Sequence, residues 1–172
     1  MTKNMKKKFV TLILFTALIV GLSSCKIGSD SNYSPKLTLL NPALLNTDST
    51  LRMSYTNEGN IKFDSLHVND TITIGVLGEG YTNTLTKFTY TVTETSDIEV
   101  IMPDSIRKLF DASSNFVTGN LVFTPKIIWM NLPFKFVAKR PKDKVKINFL
   151  LESEAVDVSN QAGMQIEFPI KP

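Results

Sequence analysis

The sequence has very few of the residues that carry catalytic and metal-binding chemistry. Its 172 residues include one cysteine, one histidine and one tryptophan. A lone cysteine excludes a disulfide within the chain, so the fold must be held by its core. With one histidine, a catalytic triad or a metal site would need residues of other types to complete it. Because G-x-S-x-G, H-E-x-x-H and C-x-x-C motifs are also absent, we expect no catalytic residues, no metal and no cofactor.

The remaining candidates for catalysis are one histidine and several closely spaced acids. His67 lies between Leu66 and Val68, so in a strand it faces away from both and is exposed. Paired carboxylates serve glycosidases without histidine, but on a strand they more often form a solvated face. A small hydrolase would need two of these acids close together in a cleft. The closely spaced acids are Glu94, Asp97, Glu99, Glu152 and Glu154.

The N-terminus has the composition of a secretory signal. Four lysines and no acid precede residue 9, and an apolar run follows at residues 9–22. That run is shorter than the roughly 20 apolar residues that a membrane-spanning helix needs. The small residues Ser23 and Ser24 end it. A basic start, a short apolar middle and a small-residue end predict export.

The sequence Leu22-Ser23-Ser24-Cys25 resembles the lipobox of bacterial lipoproteins. The resemblance implies that Cys25 is acylated on its sulfur, becomes the mature N-terminus and is then acylated on its amine. More than one acyl chain gives stable membrane anchoring. The alternative is an ordinary signal peptide that ends near a cysteine by chance. We therefore expect a signal peptide at 1–24, a flexible tether at 25–35 and one domain at 36–172.

Charge argues against a nucleic-acid partner. The 19 basic residues less the four lysines of the leader leave 15, against 16 acidic residues. Six of those 15 lie within twelve residues, opposed there by Asp143 alone. This basic run indicates either contact with an anionic lipid, glycan or protein, or lysines that protect a strand edge from aggregation. It consists of Lys135, Lys139, Arg140, Lys142, Lys144 and Lys146.

Alternation of apolar and polar residues recurs along the body of the chain and predicts strands. Turn residues separate the alternating segments, and residues 103–110 alone favour a short helix, with Ile106, Leu109 and Phe110 on one face. We expect an all-β, antiparallel immunoglobulin-like sandwich with one short helix. The apolar residues of the alternating segments are Leu51, Met53 and Tyr55; Ile72, Ile74 and Val76; Phe88, Tyr90 and Val92; Val145, Ile147, Phe149 and Leu151; and Met164, Ile166, Phe168 and Ile170.

Two stretches resemble bacterial immunoglobulin-like modules. "HVNDTITIGVLGEG" at 67–80 is similar to their second strand, and residues 144–168 are similar to their last two. The resemblance implies that the final strand lies at a sheet edge. The Cys…Trp…Cys core of many such domains is absent, and we expect Trp129 to pack with Phe134 and Phe136 in the core. An exposed Trp129 or Tyr81 would instead suit sugar stacking.

Four Asp-Ser/Thr-aliphatic triplets resemble the O-glycosylation sites of exported Bacteroidota proteins. The acceptors would be Ser49, Ser65, Thr71 and Ser105. The size, the lipobox and the lone β domain also resemble lipoproteins of that group. This implies a lipid-anchored protein of the bacterial cell envelope, in the outer membrane, with the periplasmic and surface faces both open.

These observations predict a non-catalytic binding or scaffold module that contacts another envelope protein or a glycan. One alternative is a carbohydrate-capture accessory of a nutrient-uptake system. Another is a structural subunit of a surface fibre, which needs an open sheet edge or a donated strand.

Overall fold

A computed structural model describes residues 33–56 and 60–172 of the protein. Cys25, the predicted signal peptide and most of the predicted tether lie outside the described residues, as do residues 57–59. The described chain forms two β-sheets packed face to face and one short helix, which confirms the predicted all-β sandwich. Its elements are β1 (Lys36–Leu39), β2 (Ala43–Leu45), β3 (Ser49–Leu51), β4 (Met53–Tyr55), β5 (Ile61–Phe63), β6 (Leu66–His67), β7 (Thr71–Glu79), β8 (Leu85–Val92), β9 (Ile98–Ile101), α1 (Asp104–Arg107), β10 (Asn120–Ile127), β11 (Trp129–Ala138), β12 (Lys142–Ser153) and β13 (Gln161–Lys171).

The first sheet has the strand order β3-β2-β7-β11-β9, and β1 also pairs with β7. The second sheet has the order β10-β8-β12-β13-β5-β4, and β6 also pairs with β13. The edge strands are therefore β3 and β9 in the first sheet and β10 and β4 in the second.

The predicted alternation is confirmed in the long strands. In β7, Ile72, Ile74 and Val76 are at most 1% exposed, whereas the residues between them are half-buried. In β12, Val145, Ile147, Phe149 and Leu151 are at most 2% exposed. Period-two spacing turns every second side chain into the space between the sheets, where apolar burial stabilises the fold.

Aromatic rings join the two sheets at the centre of this core. Phe134 of β11 meets Phe149 of β12 edge-on, with ring centroids 4.9 Å apart. Phe136 stacks on Phe168 of β13 at 5.2 Å. Such ring pairs contribute stability beyond that of the apolar area they bury. These contacts therefore fix how the two sheets pack against each other.

One predicted strand is wrong. Leu51, Met53 and Tyr55 alternate in sequence, but β3 and β4 separate at Arg52 and join different sheets. Leu51 is 4% exposed in the first sheet, whereas Tyr55 is 63% exposed on the outermost strand of the second. Alternation cannot reveal a chain that passes from one sheet to the other in mid-pattern.

The last strand also differs from expectation. β13 is internal, because β12 pairs with one side of it and β5 and β6 pair with the other. The β5 and β6 pairings are parallel, so the second sheet is mixed rather than purely antiparallel. The parallel direction follows from the long connection from β6 to β13, since only a tight hairpin obliges neighbours to run antiparallel.

The predicted short helix forms and ends early. Pro103 precedes α1, where its missing N–H is no loss, and Ile106 is 7% exposed. The chain then leaves the helix, and Phe110 stacks on Phe123 of β10 at 5.1 Å. No helix among the described residues has the length and hydropathy of a membrane span.

Replacing Phe134 with alanine should test the ring contacts between the sheets. Phe134 is fully buried, so we expect Phe134→Ala to lower the free energy of unfolding by about 3–5 kcal/mol. The exposed Tyr55 is the control, and Tyr55→Ala should change it by no more than about 0.5 kcal/mol. Urea unfolding followed by circular dichroism measures both. Equal effects would contradict the assigned core.

Candidate functional site

A cleft of about 630 Å³ runs beside β9, at the edge of the sandwich. Its apolar lining comes from three separate segments: Val92 of β8, Val100 of β9, and Phe116 and Val117 of the loop before β10. Val117 is 87% exposed. A concave site lined by apolar side chains from several segments is typical of a binding site.

The edge of β9 presents unused backbone groups to this cleft. The Lys139 N–H donates to the Asp97 carbonyl at 2.9 Å, and antiparallel pairing directs alternate residues to the same neighbour. Glu99 therefore bonds to β11 as Asp97 does, and the backbone groups of Ile98 and Val100 point away from β11. β9 pairs with β11 alone among the described strands.

One of the two edge strands of the other sheet, β10, is covered. The Asp111 N–H donates to the Val122 carbonyl at 2.8 Å, and the Thr124 N–H donates to the Leu109 carbonyl at 3.0 Å. The segment after α1 thus occupies the free side of β10. Exposed edges promote unwanted strand pairing, and here the chain covers β10 and leaves β9 open.

One cation, Arg107, lines the cleft. The Arg107 guanidinium carbon lies 4.4 Å from the centroid of the Phe116 ring, and its Nε donates to Asp104 Oδ1 at 2.9 Å. A cation held over an aromatic face is a stable arrangement. Arg107 therefore packs on the Phe116 ring and keeps N–H groups that could donate to an acceptor in the cleft.

Tyr90 forms part of the cleft wall and fastens the loop beside it. It is 3% exposed, and its hydroxyl donates to the Phe116 carbonyl. Burial raises the pKa of Tyr90 to about 12, against an opposing effect of the Arg107 charge. Tyr90 is thus a neutral donor that holds the Phe116 loop across from β9.

Sequence reasoning missed this cleft. Its lining residues are spread over separate segments of the chain, and no local pattern connects Val92 with Val117, which lies 25 positions further on. The one available signal was an isolated Phe-Val pair in the otherwise polar loop at 111–120.

The six basic residues do not form one surface. Lys135 lies on the outer face of the first sheet, between buried Phe134 and Phe136, whereas Lys146 lies on the outer face of the second. Arg140 is exposed in the turn between β11 and β12. The other three form ion pairs: Lys139 with Glu99 at 2.7 Å, Lys142 with Glu94 at 3.4 Å, and Lys144 with Glu167 at 2.8 Å. Contact with an anionic partner stays a prediction.

Two of the spaced acids share one cation, since Lys142 Nζ lies 3.4 Å from Glu94 Oε1 and 4.0 Å from Asp97 Oδ2. His67 is exposed, as expected, and its Nδ1 lies 3.9 Å from Asp70 Oδ2. Glu152 lies 3.6 Å from Lys87, and Asp97 is 4% exposed with Lys142 at 4.0 Å. Within residues 33–56 and 60–172, no three His, Cys, Asp or Glu side chains are grouped as metal ligands.

The four candidate glycosylation acceptors are accessible to different degrees. Ser49 in β3 and Ser105 in α1 are exposed, whereas Ser65 and Thr71 are half-buried. The backbone N–H of Thr71 also donates to Asn46 Oδ1 at 2.8 Å. Modification of these residues stays a prediction.

The predicted core position of Trp129 is wrong. Trp129 is 61% exposed, whereas Phe134 and Phe136 are fully buried. β11 begins at Trp129 with Met130 facing inward, so alternation directs Trp129 to the outer face. Tyr81 is also exposed, at 44%. Both side chains therefore have the exposure that sugar stacking requires.

Comparison with known proteins gives structural likeness only. No protein-family model matches the chain, and no curated protein matches it. A FixG-related protein from Vibrio parahaemolyticus is 13% identical with a TM-score of 0.36, over 77% of this chain and 100% of that one. A chain of the CaDoc0917–CaCohA2 complex is 11% identical with a TM-score of 0.37, over 69% and 97%. A family 123 glycoside hydrolase from Clostridium perfringens is 8% identical with a TM-score of 0.39, over 79% of this chain and 27% of that one. Likeness at this level bears on neither activity nor partner.

The raised pKa of Tyr90 predicts a loss of stability at high pH. Above pH 10 the unfolded chain loses the Tyr90 proton, while the folded chain keeps it up to about pH 12. The contribution of Tyr90 is therefore complete below pH 10 and is lost as the pH rises towards 12. Urea unfolding across this range should show a fall in stability that Tyr90→Phe lacks. Parallel curves for the two chains would contradict the buried phenol.

Proposed function

We propose that the protein is a lipid-anchored binding module of the bacterial outer membrane, without catalytic activity, that holds a partner protein in the cleft along β9. The lipid anchor is Cys25, on the resemblance of residues 22–25 to a lipobox. The Asp-Ser/Thr triplets support an origin among the Bacteroidota. The cleft supports the binding role.

The observation that carries the proposal is an open strand edge beside an apolar groove. An extended segment of a partner that lies along β9 would bond to the backbone of Ile98 and Val100. Its alternate side chains would enter the groove between Val100 and Val117. Strand addition of this kind takes its affinity from the backbone and its specificity from the pockets.

Arg107 gives the partner segment a charge preference. Arg107 lines the cleft. A carboxylate of the segment that lies beside it would accept hydrogen bonds from the guanidinium, and such charge-assisted bonds are stronger than neutral ones. The preferred segment is therefore extended, apolar at alternate positions and acidic where it passes Arg107.

Exposure of Trp129 and Tyr81 favours a second candidate function. Aromatic faces open to solvent stack on sugars, so a carbohydrate-capture accessory lipoprotein has the exposed side chains that it needs. Because Trp129 is the one tryptophan of the chain, its fluorescence reports such binding directly. Titration with soluble envelope glycans tests this function independently of the cleft.

Replacing Cys25 with alanine should release the protein from the membrane. Cys25→Ala removes the sulfur that would carry the lipid, and no second cysteine can replace it. We expect the wild-type chain in the membrane fraction with an acylated N-terminal peptide, and the variant in the soluble fraction. Fractionation and mass spectrometry measure both. An unmodified wild-type chain would refute the anchor.

A photo-crosslinking amino acid at Val117 should capture the partner in living cells. Val117 is the most exposed apolar side chain of the cleft, and Tyr55, 63% exposed on β4, is the matched control position. We expect one crosslinked protein from position 117, weakened by Arg107→Gln, and none from position 55. A product containing a second copy of the chain would instead identify a fibre subunit. Identical products from both positions would refute the cleft as the contact.

A further inference from the structure

We propose that the end of the sandwich from which the tether emerges rests on the lipid interface of the membrane that carries the anchor. This inference rests on the Cys25 anchor proposed above. Tyr33 is the first described residue, and we call the surface around it the tether end. It comprises Tyr33, the β7–β8 turn, Ile128, Trp129 and the β12–β13 turn.

Backbone and side-chain hydrogen bonds join these segments into one surface. Asn83 Nδ2 donates to the Tyr33 carbonyl at 3.2 Å. The Gly80 N–H donates to the Ile128 carbonyl at 2.7 Å, and the Glu154 N–H donates to the Thr84 carbonyl at 2.9 Å. The turn after β7 thus touches each of the other segments.

The tether end holds most of the exposed large apolar side chains. Eleven such side chains occur among the described residues, and six of them belong to the segments joined at the tether end. Apolar residues scattered singly need no explanation, but a contiguous group indicates a partner. The six are Tyr33 at 64%, Tyr81 at 44%, Ile128 at 49%, Trp129 at 61%, Val156 at 54% and Val158 at 36% exposure.

Three of the six are the aromatic types that favour a membrane interface. Tyr33 and Tyr81 lie against each other with ring centroids 5.4 Å apart. Trp129 pairs in register with Glu79, two residues before Tyr81. Tyrosine and tryptophan favour the boundary between headgroups and acyl chains because each combines an apolar body with a polar tip.

The backbone conformation of Tyr81 indicates that its exposed side chain has a functional role. Its φ of +58° lies in the left-handed region, which is costly for a bulky side chain. Glycine or asparagine would form the same turn with less strain. The sequence nevertheless places a tyrosine there and leaves it exposed.

The charges of this surface suit neutral lipid. Its exposed charged residues are two acids, Glu154 and Asp157, and the exposed bases Lys36 and Lys126 lie next to it in sequence, three residues from Tyr33 and two from Ile128. The turn with Lys139 and Arg140 lies at the other end of β11, roughly 30 Å away for a strand of this length. Anionic lipid would therefore attract the opposite end of the sandwich rather than the tether end. Contact at the tether end must come from apolar burial.

The tether limits how far this surface can stand from the membrane. Eight residue steps separate Cys25 from Tyr33, which span at most about 28 Å when extended. Val156, Val158 and Ile128 have no ring to stack on a sugar, so a glycan would leave half of the apolar group uncovered. A lipid interface covers all six side chains together.

The fluorescence of Trp129 tests the contact. A chain that begins at Cys25 keeps every described residue, and its single thiol accepts a maleimide lipid. It is anchored in phosphatidylcholine vesicles with or without bromine on the acyl chains. We expect emission at shorter wavelength than in the unanchored chain, quenching by bromine, and little change with salt. Unshifted, unquenched emission from the anchored chain would overturn the inference.

Charged substitutions show whether the apolar side chains cause the contact. Ile128→Asp combined with Val156→Asp should abolish most of the quenching, whereas Tyr55→Asp should leave it unchanged. Circular dichroism and melting curves confirm that each variant is folded, and the proportion of chain on the vesicles confirms anchoring. If the quenching persists in the double variant, it is caused by tethering alone, and the inference is overturned.

The chemical anchor keeps this test separate from the proposed function. If cells do not acylate Cys25, the anchor fails while the vesicle result still stands for the surface. If acylation occurs but anchored Trp129 is unquenched, the anchor stands and the membrane contact fails. If emission instead responds to soluble glycans, the surface is a carbohydrate platform and the membrane contact is wrong.

Discussion

The contact of phenylalanine rings between the two sheets is the constraint on which the rest of this structure depends. No disulfide is available, so Phe134 against Phe149 and Phe136 against Phe168 must keep the sheets aligned. Once they do, β9 lies at one edge of the first sheet, and Tyr90, which meets Phe134 edge-on at 5.1 Å, lines the cleft beside it. The same rings therefore support both the core and the candidate site.

The cleft and the tether end lie at different positions along the length of the strands. β8 runs from the tether end to Tyr90 and Val92, so the cleft lies in the half of the molecule away from the tether. A module whose tether end rests on the membrane would present the cleft to proteins beyond it. The two proposals are thus compatible in geometry, and each depends on different side chains. The covered edge of β10 and the open edge of β9 fit the same arrangement.

Much of the fold could be predicted because it depends on the local periodicity of apolar residues. The inward residues of β7, β12 and the end of β13 repeat every second position, and Pro103 marks the start of α1. The failures occurred where neighbours in space are distant in sequence. Nothing local distinguishes the sheet change at Arg52, the internal position of β13, or the outward direction of Trp129 at the start of its strand.

The sequence by itself determined the class of the protein: an all-β body, and the expectation of export and of a lipid on Cys25. Period-two patterns and leader motifs act within a few residues, so they can be recognised without a fold. Only the tertiary structure decided that Val92, Val100 and Val117 form one groove and that the basic run divides between two faces. Those outcomes depend on which strands pair and at what register, and pairing is set by burial summed over the whole core.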